Sequence, residues 1–187
     1  MTPNFKTIQA KPLVMGRAAG EVLFTDVPLS FWGGIDPETG VIIDRHHPLC
    51  GTCVAGKILV LPSGRGSCTG SAVMLQLLSS GTAPSAIVIC EKEEIITLGV
   101  VIAEKFFSKS IPVFRVTAQE FGSLRDWSHA VVQDGAIASA EQYLAMEKPF
   151  LTRRDAGLIL SDQDKRLLAG ESGVAAQLAM EVIVTET

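Results

Sequence analysis

Residues 56–116 constrain the fold more tightly than any other part of the chain. Within them, residues 56–61 (GKILVL), 86–90 (AIVIC) and 111–116 (IPVFRV) are short apolar runs rich in Ile, Leu and Val, as buried strands are. Residues 71–80 (SAVMLQLLSS) have helical spacing, with Ser71 in a capping position and Gly81 as the stop. Residues 93–107 read as a second helix, apolar on most sides and therefore expected to be well covered. Strand, helix, strand, helix, strand implies βαβ crossovers and a partly parallel sheet. Residues 6–29 instead alternate short apolar pieces with Gly16, Gly20 and Pro28, which suggests short twisted strands. A short helix over residues 118–125 and a hairpin over 130–138, turning at Gln133-Asp134-Gly135, complete an α/β domain with an additional β layer, expected to span residues 1–140.

After that point the character changes. Residues 141–160 are polar and broken by proline, the composition of a linker. Residues 161–187 form a short helical stub: Ser161 and Asp164 make a capping box, Gly170 breaks the first helix, and 174–184 (VAAQLAMEVIV) is strongly apolar. Such an apolar helix needs a cover that the remaining sequence does not supply, so the stub resembles the opening of a further domain.

The whole chain carries 16 Lys and Arg against 20 Asp and Glu, a formal charge of −4, and its longest basic run is Arg153-Arg154. A protein that grips a nucleic-acid backbone needs a clustered basic face, so no nucleic-acid partner is expected. No aliphatic stretch approaches the roughly 20 residues that cross a bilayer, and the N-terminus lacks a signal-peptide pattern. A cytoplasmic protein without a membrane partner is the expectation.

Chemistry is concentrated where glycine bunches. Pro62-Ser63-Gly64-Arg65-Gly66-Ser67-Cys68-Thr69-Gly70-Ser71 follows a strand and opens a helix. Glycine lets the backbone turn sharply and aim N–H groups at one point, where the helix dipole adds positive potential. Arg65 offers a planar fork for a carboxylate or phosphate, and the hydroxyls of Ser67, Thr69 and Ser71 stand at the mouth. The loop ends in no Lys-Ser or Lys-Thr and lacks G-x-G-x-x-G spacing, so it is neither a Walker loop nor a dinucleotide fingerprint. The plainer reading is a glycine-rich connection between strand and helix. Leu29-Ser30-Phe31-Trp32-Gly33-Gly34-Ile35-Asp36 reads equally as a pocket lining or as a folded loop anchored by Phe31 and Trp32. His46-His47-Pro48-Leu49-Cys50-Gly51-Thr52-Cys53 invites a zinc or redox reading, but adjacent histidines do not easily share one ion with both thiols. A redox Cys-x-x-C would open a helix, whereas a strand follows here. Cys68 and Cys90 read as small buried hydrophobes or loop thiols, and His129 as structural.

Three separated motifs, PLSFWGGIDPETGVIIDRHHPL (residues 28–49), GKILVLPSGRGSCTGS (56–71) and GTAPSAIVI (81–89), occur in an order that closely resembles the swivel, or small-subunit, domain of aconitase X. The resemblance covers roughly residues 13–138, and LSDQDKRLLAGESGVAAQLAM (160–180) looks like the start of that family's large catalytic domain. It implies a swivelling β/β/α domain and a hydro-lyase that dehydrates a small hydroxy acid. Cis-3-hydroxy-L-proline is favoured by the fused order, with mevalonate 5-phosphate next. By the same resemblance Ser67 would be the proton-abstracting base, with Arg65, Gly66, Ser71, Asp36 and His47 binding substrate. Iron or an iron–sulfur cluster would be held by the large domain, in cis or in trans, with no metal on this chain. Cys50, Cys53 and Cys68 fall outside the recognised pattern. Without the large domain the chain is expected to be inactive. Two other readings are a non-catalytic remnant that binds small acids or a partner, and a phosphohistidine carrier using His46 or His47.

Overall fold

The computed structural model describes residues 7–133 and 135–139; the linker and helical stub expected over 141–187 lie outside the described residues. Three strands open the chain, β1 (Thr7–Gln9), β2 (Lys11–Val14) and β3 (Ala18–Phe24). Then come the short pieces β4 (Leu29–Ser30), β5 (Ile35–Asp36) and β6 (Val41–Ile42). The alternating centre is β7 (Ile58–Val60), β8 (Gly64–Arg65), α1 (Thr69–Ser80), β9 (Ala86–Ile89), α2 (Ile95–Phe107) and β10 (Val113–Arg115). It is followed by α3 (Ala118–Ser123), a 3₁₀ turn (Leu124–Asp126), β11 (His129–Gln133) and β12 (Ala136–Ser139).

Eight strands share one sheet in the order β1-β12-β11-β3-β7-β9-β10-β2. β3, β7, β9 and β10 are mutually parallel: α1 crosses from β7 to β9, α2 from β9 to β10, and the helix-free segment 25–57 from β3 to β7, while the other pairings of this sheet are antiparallel. The two outermost strands, β1 and β2, are separated in sequence by Ala10 alone. Laid flat, eight strands would put the two edges about 34 Å apart, whereas two Cα steps reach no more than about 7.6 Å. The sheet therefore curls into a nearly closed barrel. The additional β layer expected from the sequence is the far wall of this one sheet.

Curling divides the core in two. Strands β7 and β9 are apolar on both faces: Ile58, Val60, Ala86 and Val88 point into the barrel, while Leu59, Leu61, Ile87 and Ile89 point out. The interior cluster draws on strands all around the barrel, including Ile8, Ala18, Phe114, Val132 and Ile137, and Phe121, Leu124 and Trp127 close it. Outside, Val73, Met74 and Leu77 of α1 and Ile96, Val100 and Ala103 of α2 cover the parallel strands. Each large side chain buried this way contributes about 1.5–3 kcal/mol. α3 begins with a capping box, and the Thr117 N–H and hydroxyl hold the Glu120 carboxyl below the usual range.

The helices differ from expectation in detail. α1 begins at Thr69 rather than Ser71, and Gly81 stops it in a left-handed conformation, as expected. α2 starts at Ile95 because the buried Glu93 carboxylate accepts from the N–H groups of Ile96 (2.7 Å) and Thr97 (3.1 Å), capping the first turn. One face of α2 is not covered: Leu98, Val101, Phe106 and Phe107 are exposed, because α1 and the sheet bury only the opposite side.

Two buried contacts hold the outer layer in place. A Cβ at Gly99 of α2 would lie 2.6 Å from the Ser71 carbonyl oxygen, so glycine lets the two helices touch. His47 is buried, its Nδ1 accepting from the Leu49 N–H (3.2 Å) and its Nε2–H donating to the Val27 carbonyl (3.2 Å), which fixes the neutral Nε2–H tautomer. Gly99→Val is expected to lower stability by about 2 kcal/mol or more through overpacking, read as a lower urea midpoint. His47→Phe leaves the Leu49 N–H without its partner and takes one of the two donors from the Val27 carbonyl, which keeps the Thr25 hydroxyl (3.3 Å), and is expected to lower it by about 1–3 kcal/mol in the same assay.

Candidate active site

The loop joining β7 to α1 carries the site, and a second loop folds onto it. Short strand β4 runs parallel to β8 with Ser30 opposite Arg65, so the segment after β3 is stitched to the glycine-rich loop. Phe31 anchors that segment in the outer core, whereas its neighbour Trp32 is 63% exposed, so the two aromatic residues divide the roles the sequence allowed them. Gly66 has φ 115°, a conformation L side chains rarely adopt, and its position faces the Ser30 hydroxyl. Below the loop, the Ser63 hydroxyl donates to Glu91 (2.8 Å), tying it to the end of β9.

Ser67 is exposed and stands immediately before the N-cap of α1. Its Oγ donates to the Thr69 hydroxyl (3.1 Å) and accepts from the Thr69 N–H (3.4 Å). The N–H aimed at Oγ is that of Thr69, the first residue of α1. The N-cap residue Cys68 makes no side-chain cap and no acid lies in the first turn, so no carboxylate of the helix itself offsets the positive end of its dipole on the Ser67 side.

Arg65 is two residues away with its side chain 59% exposed, and its Nη2 donates to Oδ2 of Asp44 at 3.2 Å. Asp44 is the more buried partner, 16% exposed, and its Oδ1 accepts from the His46 N–H (3.0 Å). Asp44 was not singled out from the sequence, although it stands in the IIDRHH stretch between the flagged Asp36 and His47. Its contact with Arg65 spans 21 residues and comes from two loops folding together, so no local pattern announces it.

The remaining candidates are dispersed. Ser71 commits its hydroxyl to the Cys68 carbonyl (2.6 Å) in the first turn of α1. Asp36 accepts from the Glu38 N–H (3.1 Å) and the Thr39 hydroxyl (2.7 Å), closing its own turn. That turn packs on Gln76 and Thr82, towards the far end of α1 from Ser67. His47 is not at the mouth: it is a buried pin of the second loop, with both ring nitrogens held by backbone groups. Cys50 and Cys53 are free thiols, and Cys53 Sγ contacts the Thr39 carbonyl (3.4 Å). Burial, with the charge of Glu91, pushes the Cys90 thiol up, as suits a packing residue. Cys68 is exposed. Among the described residues no three His, Cys, Asp or Glu side chains gather as a metal-ligand set, and no helix is long and apolar enough to cross a membrane.

Comparison with known proteins places this arrangement. The family model for the aconitase X swivel domain matches residues 7–139. Cis-3-hydroxy-L-proline dehydratase of Hypocrea jecorina is 39% identical over 98% of this chain, which spans 32% of that protein's length. The phosphomevalonate dehydratase small subunit of Methanosarcina acetivorans is 37% identical, with 76% of this chain matching 92% of it. The crystal structure of Thermococcus kodakaraensis aconitase X in its holo-form superposes with a TM-score of 0.61 at 34% identity, covering 71% of this chain and 96% of that one. With the curled, partly parallel sheet and the Arg65-Gly66-Ser67 loop at the end of β7, these matches show that the chain belongs to the aconitase X family and that residues 7–139 are its swivel domain.

Proposed function

We propose that this chain is the swivel part of an aconitase X-type hydro-lyase and that Ser67 is the base that removes the proton next to a substrate carboxylate. The observation that carries the proposal is the setting of Ser67: exposed, at the N-terminus of α1, with the Thr69 N–H on its Oγ and Arg65 on the same loop. A serine hydroxyl is a weak base because its alkoxide is unstable in water. Donors and dipoles already aimed at the oxygen lower the cost of using it once the site is closed and water is excluded. Arg65 keeps donors beyond Nη2 for a carboxylate, and a planar fork suits that group.

Closure requires a second body. The relative with a single long chain is about three times the length of this one, and the relatives matched almost end to end are named small subunits. The large catalytic domain, joined in cis or in trans, would form the opposite wall of the site and carry the iron or iron–sulfur centre. In this reading departure of the hydroxyl belongs to that domain. Proton removal and the grip on substrate belong to this one.

The substrate favoured is cis-3-hydroxy-L-proline. The match to the dehydratase of that name runs through 98% of the chain, including residues past the swivel domain, whereas the matches to phosphomevalonate dehydratase small subunits cover 76% of the chain or less. In the complete enzyme, Ser67→Ala is expected to lower turnover by about 100-fold or more, the range for a lost general base, with substrate binding largely retained. Turnover of that variant near the parent's would remove Ser67 from the mechanism.

A further inference from the structure

We infer that Asp44 and Arg65 act as a pair to read the substrate, selecting the zwitterion of an α-amino acid over a phosphate ester. The inference rests on the dehydratase reading above and adds to it a residue that would set its substrate preference.

The pair is a cation and an anion in contact, Nη2 to Oδ2 at 3.2 Å, on the loop that ends in Ser67. Neither group is used up. Arg65 is engaged through Nη2, and with its side chain 59% exposed the rest of its fork is open to a second carboxylate. Asp44 accepts from Arg65 on Oδ2 and from the His46 N–H on Oδ1 (3.0 Å), each oxygen keeping a further lone pair, and the 16% of its side chain that is exposed is where an ammonium would reach it.

An α-amino acid bears its carboxylate and its ammonium on one carbon, so the two charges are as close to each other as Arg65 and Asp44 are. Laid against the pair in opposite polarity, the carboxylate meets the guanidinium and the protonated amine meets the Asp44 carboxylate. The carbon bearing both groups is also the carbon whose proton Ser67 is proposed to take, so gripping both orients that C–H bond. A phosphate dianion finds the reverse. Arg65 is the one cation of the 62–71 loop, and Asp44 neutralises it. A phosphate at Arg65 would have the Asp44 carboxylate beside it and would be repelled by that charge. Asp44 thus favours one substrate class and disfavours the other.

The test measures binding, not turnover, on the complete polypeptide as its source makes it. Isothermal titration compares three unreactive probes: L-proline, cyclopentanecarboxylate, which lacks the amine, and isopentyl phosphate. Proline is expected to bind about tenfold or more tighter than cyclopentanecarboxylate, the discrimination a hydrogen bond to a charged group provides. Asp44→Asn should bring the two carboxylates level and strengthen the phosphate, whereas Asp44→Glu should keep proline ahead. A parent protein that binds the two carboxylates equally, or that prefers the phosphate, overturns the inference without needing any variant. So does an Asp44→Asn protein with the parent's melting temperature and an unchanged proline preference. Failure of the dehydratase reading shows elsewhere, in the turnover of Ser67→Ala.

Discussion

The fold depends on one covalent constraint. β1 and β2 are consecutive in the chain and lie at opposite ends of an eight-stranded sheet. With one residue between them the sheet has to curl, and the curl creates an inside. Side chains from seven strands then meet in a single cluster that no flat sheet would bring together, while the opposite faces of β7 and β9 remain free to receive α1 and α2. Strands β7 and β9 are apolar on both faces for that reason, and the four consecutive aliphatic residues at 58–61 and at 86–89 are legible as a run rather than an alternation.

The site follows from where the parallel strands stop. Chains leaving the C-terminal ends of parallel strands enter helices, and the N–H groups of the first turn point back at the loop. Here that loop is held on two sides. From above, the 29–47 segment is stitched on by the β4–β8 pairing and by Asp44 on Arg65, and it is itself pinned by Phe31 and by the ring of His47. From below, Ser63 is bonded to Glu91 and the α2 cap at Glu93 packs under Gly64. Ser67 and Arg65 are thus presented on a braced support, with their side chains exposed.

Apart from Met15, which follows β2, the exposed large apolar side chains among the described residues fall into two groups. Trp32 and Ile43 flank the two loops of the site, and Leu98, Val101, Phe106 and Phe107 lie on α2. The sequence of α2 is apolar around most of its circumference, which by itself suggests a helix covered on every side. The structure covers one side, so uniform apolarity here reports the composition of the helix and not its burial.

Much of the architecture was legible because it is written in short-range patterns. The alternation of aliphatic strands with helices, the Gly81 stop, the hairpin around Gly135 and the motif order that resembles aconitase X all reside in contiguous residues. Ser67 and Arg65 were legible for the same reason, since one loop contains both. What only the tertiary structure decided involves partners far apart in the chain. Asp44 on Arg65 and Ser30 on Gly66 depend on two loops meeting, and no spacing rule links residues separated by 21 or more positions. His47 and Asp36 show the converse. Their residue types suit a binding site, yet one is buried on two backbone groups and the other closes its own turn. The sequence determined which elements form and which loop carries the chemistry, because backbone propensity and apolar period are local. Which polar side chains reach that loop is set by how the sheet curls and the loops pack, and those are properties of the whole domain.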